Sequence, residues 1–228
     1  METLDDARTL AHLMVEIGKL VGRRTVALIS DMNQPLGSAV GNALELKEAI
    51  ETLRGAGPAD FVEHCLVVAG DMLALGGISR TGSEGRCLAE AALTNGMGLE
   101  YFRRMVIAQG GEVIYVDEPE RLPGARWVEP VRAAGMGIIY GIHARTVGET
   151  VVMLGGGRAK KGDAIDYGVG VLVHKKIGDR VEIGESVFTV YANDEDKAHL
   201  AHSRLLEAMQ WGNDPVEPLP PLFYGRIE

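Results

Sequence analysis

The sequence predicts an α/β to α+β protein: a partial α/β region over residues 1–112, then a β-rich region with inserted helices over residues 113–228. Three observations carry this. The first 53 residues run helix, apolar strand, polar loop, helix, which is the rhythm of an α/β layer. From Val113 onward, short β-prone runs alternate with glycine-rich turns. The first region also offers five helices for one convincing strand. A lone strand cannot form a sheet, so its neighbours are expected either upstream of Met1 or from the second region.

The elements follow in order. Thr3 and Asp6 read as a capping-box variant opening a helix. In that helix Leu4, Ala7, Leu10, Ala11, Met14, Ile17 and Val21 recur at helical spacing before Gly22. Thr25 to Ser30 is apolar and β-branched without alternation, the pattern of a strand covered on both faces in a parallel sheet. The polar loop Asp31 to Gly37 leads into a helix ending near Leu53, and Pro58 stands in the first turn of another reaching Leu75. Helices are expected near Ser83–Leu93 and Leu99–Gln109. Strands are expected at Trp127–Val131, Gly137–Ile142, Gly168–Val173 and Ser186–Tyr191, with a helix near Arg145–Leu154 among them. A closing helix spans Asp194 to Trp211. Pro215 to Pro221 is extended because its prolines cannot continue a helix, and Leu222 to Ile227 returns as a strand.

Composition narrows the function. The formal charge of −9 argues against a nucleic-acid backbone as partner, which requires a basic surface. No run reaches the length a membrane span needs, and the acidic start Met1 to Asp6 is unlike a basic signal sequence. A cytoplasmic protein is expected. The two cysteines, Cys65 and Cys87, lack CxxC spacing and read as isolated buried thiols. The six histidines make no HExxH or similar metal set.

Several motifs admit more than one reading. Asp31, Asn33 and Gln34 bunch after an apolar strand, where α/β proteins gather ligands, although such residues also satisfy turn backbones. Glu45 and Glu48 lie three apart on one helical face and suit acid–base work, a cation site or plain solvation. Leu154-Gly155-Gly156-Gly157-Arg158 with Lys160 and Lys161 has the composition of a phosphate loop, but its glycines follow a helix, whose carboxyl end repels anions. Lys175 to Glu185 resembles the turn and strands of biotinyl and lipoyl carrier domains. The following strand Val187 to Ala192 lacks the lysine such carriers modify.

Taken together, Ser30 to Gly37, Ala39 to Ile50, Leu154 to Arg158, Asp163 to Asp166 and the Gly178-Asp179 turn resemble the pyrimidine-nucleoside phosphorylases, which include the thymidine phosphorylases. The resemblance runs from near Leu4 almost to the end. It implies reversible phosphorolysis of thymidine- or uridine-type nucleosides to free base and (2-deoxy)ribose 1-phosphate. Phosphate and nucleoside would be the partners, and the full-length protein a homodimer. It also implies a β-rich terminal domain of hammerhead or barrel-sandwich type. The family's phosphate loop and base-binding residues find no counterpart here, so no catalytic or substrate-binding residue is assigned. The family's monovalent cation, usually potassium, is carried over to Leu36 and Ala39 through their carbonyls and to Glu48 through its carboxylate. An anthranilate-type phosphoribosyltransferase relative, or a non-catalytic carrier-like module, is the alternative.

Overall fold

Thr3 caps the first helix, its hydroxyl oxygen accepting from the Asp6 amide at 3.1 Å, as the opening motif predicts. In chain order the helices are α1 (Leu4–Leu20), α2 (Asn42–Leu53), α3 (Ala59–Leu75), α4 (Gly82–Thr94), α5 (Met97–Ala108), α6 (Ile114–Asp117), α7 (Ala144–Val151) and α8 (Glu195–Ala208). The strands are β1 (Ala27–Ser30), β2 (Ala39–Val40), β3 (Trp127–Arg132), β4 (Gly137–Ile142), β5 (Gly170–Val173), β6 (Arg180–Val181), β7 (Ser186–Ala192), β8 (Met209–Gly212) and β9 (Phe223–Ile227). The structure is a computed structural model that describes residues 3–158, 160–214 and 216–228. Pro215 of the expected extended segment and Met1 and Glu2 of the acidic start lie outside the described residues. The chain forms two compact units drawn from interleaved segments: Met1–Asp31 with Ala59–Met97 and Pro220–Glu228, and Met32–Pro58 with Gly98–Leu219.

In the first unit, β1 pairs antiparallel with β9, from Ala27 opposite Ile227 to Ser30 opposite Phe223. This corrects the expectation of a parallel strand covered on both faces. The one neighbour comes from the far end of the chain, and of the β1 residues Ile29 alone is buried. The apolar stripe of α1 is also used differently. Ala11, Val15 and Gly18 are buried, while Leu10, Leu13, Met14, Ile17, Leu20 and Val21 stay exposed. Helices α3 and α4 approach at glycines: a methyl on Gly70 would meet the Gly82 carbonyl and the Arg86 amide, and one on Gly85 would meet the Gly70 carbonyl. Cys65 and Cys87 are free and exposed, not buried as expected. Their apolar neighbours do mark helices α3 and α4, but these turn the cysteine positions outward. Asp71, nearly buried on α3, accepts from Arg226 Nε of β9 at 3.1 and 3.3 Å.

The second unit holds a four-stranded sheet in the order β2-β5-β7-β3 and a three-stranded sheet in the order β6-β4-β8. All of their pairings are antiparallel. Pro130 sits in β3, at an edge, where its missing N–H is tolerated. Val131, Ile139, Ile142, Val147, Val171, Phe188 and Leu205 are among the fully enclosed side chains of the core that α7, α8 and these sheets share. The closing helix stops earlier than the sequence suggests. Met209 turns extended, and Met209–Gly212 pairs with β4 as β8. Helix and strand compete for those four residues, and the open edge of β4 wins. Thr150 is fully buried with its hydroxyl donating to the Thr146 carbonyl at 2.7 Å, whereas the buried Thr52 hydroxyl has no hydrogen-bond partner among the described residues.

Candidate functional site

The segment from Gln34 to Glu48 is built by back-reaching carboxylates. Helix α2 starts at Asn42 behind Gly41, whose φ of 136° lies where only glycine is comfortable. Gly41 also passes close to the backbone of Gly170 at the start of β5. Glu45, in the first turn, accepts from the Gly41 amide at 2.9 Å, in the manner of a capping box. One turn later Glu48 Oε1 accepts from the amides of Ser38 at 2.8 Å and Ala39 at 3.0 Å. The pair that spacing placed on one helical face is therefore not simply solvated: both carboxylates bond backbone amides N-terminal to the helix.

Gly37 is the crossing point. Its φ is 66°, and a side chain there would collide with the Glu48 carboxylate. On the carbonyl side, Lys176 Nζ donates to Pro35 and Gly37, each at 2.5 Å. Next to it, the Ile177 amide donates to Gln34 Oε1 at 3.0 Å. The turn that presents Lys176 is itself fixed, because the Lys176 amide donates to Asp179 Oδ2 at 2.7 Å and Gly178 takes a φ of 96°. Leu36 lies between the two carbonyls that Lys176 holds, and Ala39 is tied by its amide to Glu48. All three residues carried over as cation ligands thus belong to one loop and its supporting helix. Lys176 was not singled out as a site residue from the sequence. It stands 141 positions from Pro35, a separation over which no periodic signal reaches.

Other sequence-marked groups have structural partners. Lys175 pairs with Glu185 at 2.5 Å, and that hydrogen bond holds the Glu185 carboxyl below the usual carboxylate range. His174 meets the Thr189 hydroxyl at 2.7 Å, and burial pushes its imidazole below the ordinary value. The glycine run after α7 forms a π-helical turn over Val152–Gly156, with Gly155 at φ 112°. The carbonyls of Gly155 and Gly156 accept from the Asp166 amide at 2.9 Å and from Asn42 Nδ2 at 2.7 Å. A phosphate cradle would instead present amides, so this segment reads as a helix stop. Ala159, between it and the two lysines, lies outside the described residues.

The first unit has a cavity of about 450 Å³ lined by Arg24, Arg80, Arg86, Arg226, Asp71 and Glu228 among others. Its arginines are largely matched: Arg80 to Glu84, Arg86 to Glu63 and Glu90, and Arg226 to Asp71 and Glu228. The Arg86 hydrogen bond holds the Glu63 carboxyl below its usual range. Among the described residues no group of histidine, cysteine and carboxylate side chains is arranged to hold a metal ion, and no helix is long and apolar enough to cross a membrane.

Comparison with known proteins decides the family. Residues 1–99 match the model of the glycosyl transferase family a/b domain, and residues 138–211 match that of the pyrimidine nucleoside phosphorylase C-terminal domain. The sequence is 44% identical over 227 residues to a pyrimidine-nucleoside phosphorylase of Geobacillus stearothermophilus, covering 100% of this chain and 52% of that protein. The chain belongs to the pyrimidine-nucleoside phosphorylase family. A pyrimidine-nucleoside phosphorylase of Staphylococcus aureus strain USA300 is 47% identical over 196 residues, covering 86% of this chain and 45% of that protein. The chain thus spans about half the length of the curated relatives it matches.

The Gln34–Glu48 segment is rich in oxygen donors. Its donors are carboxylate and carbonyl oxygens, which suit a hard cation. Two of the loop carbonyls already hold a singly charged group, the Lys176 ammonium. The residues present fit a monovalent cation in kind, since the backbone carbonyls of Leu36 and Ala39 and the carboxylate of Glu48 are all oxygen donors.

Proposed function

We propose that this chain is the carboxy-terminal portion of an enzyme that transfers a pentosyl group between a pyrimidine base and phosphate. A phosphate oxygen attacks the anomeric carbon, and the carbon–nitrogen bond to the base breaks. The electron pair leaves with the base, which is protonated on release. Near-complete coverage of this chain by relatives of that name is the observation that carries the reading. The phosphate-binding and base-binding residues of the family have no counterpart in this sequence, so the chain supports the reaction without performing it. Its contribution is to position: Glu48 orders the Ser38 and Ala39 amides, and Leu36, Ala39 and Glu48 would hold potassium. The bound cation would supply positive charge beside the phosphate. The active form is a cytoplasmic homodimer.

Two measurements test this. The purified chain, incubated with phosphate and thymidine or uridine, is expected to release no free base. Joined to the amino-terminal half of the Geobacillus stearothermophilus relative, it is expected to release base in a phosphate-dependent manner. Base release by the isolated chain would overturn the assignment of roles, and a folded but inactive fusion would overturn the activity.

In the same fusion, Glu48→Gln replaces the one charged ligand with a neutral amide while keeping its shape. A hydrogen bond to a charged group is worth about 1.5–3 kcal/mol, so the potassium concentration for half-maximal activity should rise roughly tenfold or more. An unchanged potassium dependence would assign Glu48 to loop closure alone.

A further inference from the structure

We propose that the cavity of the first unit, walled by α3, the start of α4 and the end of β9, binds a small phosphate monoester of about the size of a pentose phosphate. This goes beyond the phosphorylase reading and does not depend on it.

Four guanidinium groups reach this cavity from separate segments: Arg24 ahead of β1, Arg80 ahead of α4, Arg86 within α4 and Arg226 on β9. Two carboxylates, Asp71 and Glu228, line it with them. The walls therefore carry an excess of positive charge, in a chain whose formal charge is −9. The glutamates that pair with Arg80 and Arg86, namely Glu84, Glu63 and Glu90, are not among the lining residues. Ion pairing does not exhaust the donors, because a guanidinium group has five N–H bonds in a fixed plane. Arg226 directs Nε to Asp71 and Nη1 to Glu228, which leaves Nη2 without an acceptor among the described residues. Asp71 is nearly buried, so its bond also fixes that guanidinium group in place. Arg24 has no hydrogen-bond or ion-pair partner among the described residues.

The rest of the lining selects the ligand class. Arginine matches pairs of phosphate oxygens through parallel N–H bonds. Ser83 adds a hydroxyl in the first turn of α4, where backbone amides have no acceptor within their own helix. Val67 and Ala74 stand four residues before and three after Asp71, on the same face of α3, and give the cavity an apolar strip beside its charges. The volume of about 450 Å³ lies within the range of about 300–1,000 Å³ for small-molecule sites and leaves room for more than inorganic phosphate. A phosphate held by the arginines, with a short carbon skeleton against Val67 and Ala74, uses all of these features.

An NMR titration of the isotope-labelled full chain with ribose 5-phosphate tests this. The amides of Gly82 and Ser83 should shift saturably, while those of Val171 and Val190 in the β-rich unit stay in place. Ribose should produce no such shift, and inorganic phosphate should bind at least about fivefold more weakly, because it makes no contact with the apolar strip. Arg24→Gln should weaken ribose 5-phosphate binding about tenfold, the effect of losing one charge-assisted hydrogen bond. Arg24→Lys, which keeps the charge, should recover part of that loss. Arg24 is exposed, so its substitution leaves the packing of the unit intact. The absence of saturable shifts at Gly82 and Ser83 would overturn the proposal. So would unchanged affinity in Arg24→Gln, or ribose binding as tightly as its phosphate. Inorganic phosphate binding as tightly as the ester would overturn the ester assignment and make this a site for free phosphate. The unaltered chain with its three probes decides the matter even where a variant does not fold. None of these readouts involves phosphorolysis, so the proposal and the enzymatic reading fail separately.

Discussion

Replacing Phe188 with alanine is expected to destabilise the β-rich unit by about 3–5 kcal/mol, the range for truncating an enclosed aromatic side chain. Phe188 is fully buried on β7, which lies between β5 and β3 in the four-stranded sheet. Its backbone is opposite Val173 on one side and Val131 on the other, both also buried, so neither neighbour can turn to fill the space from an exposed position. The core is close-packed and relaxes only in part around a lost ring. Because the chain has two compact units, the loss should be read by amide exchange at Val171 and Val190 instead of by one global transition. A change below about 1 kcal/mol would mean that the core collapses around the site, contrary to the enclosure described for it.

Gly41→Ala is expected to be the most damaging single methyl near the candidate site. Two costs combine. The φ of 136° is strained for any L side chain, by about 1–3 kcal/mol. The new carbon would also stand 2.6 Å from the Val169 carbonyl oxygen and 2.8 Å from the Gly170 α-carbon. These are backbone atoms and cannot rotate away, so overpacking adds about 1–3 kcal/mol. Gly55→Ala is the control, with φ of 89° and nothing within 4 Å of the added carbon; it should show only the conformational part. Thermal or urea denaturation compares the two. The Gly41 variant should also weaken the Glu45 bond to the Gly41 amide and so loosen the start of α2. Equal effects of the two substitutions would show that the approach of Gly41 to Gly170 is not tight in solution.

Much of this molecule was legible from local chemistry. The Thr3 cap, the helical spans of α1 to α5 and the placing of β3, β4, β5 and β7 follow from periods, caps and turn glycines, which act over a few residues. The family too was legible, because long ordered motifs such as Ala39 to Ile50 survive in one dimension. Leu36, Ala39 and Glu48 could be named from that resemblance, but not the bonds Glu48 makes.

The tertiary structure alone decided what depends on distant partners. β1 has an apolar sequence suited to a covered parallel strand, yet its partner is β9, from the other end of the chain and antiparallel to it. Residues 209–212 could extend α8, but the free edge of β4 offers backbone hydrogen bonds across the sheet, and they become β8. Cys65 and Cys87 have apolar neighbours in sequence, and which side of a helix is covered depends on what other segments reach it. Lys176 is the clearest case. Nothing in its neighbourhood distinguishes it from Lys175, but folding sends one ammonium to Glu185 and the other to the carbonyls of Pro35 and Gly37. A local pattern fixes backbone conformation because those forces act between near neighbours. The destination of a flexible charged side chain is set by which oxygens the completed fold brings within reach.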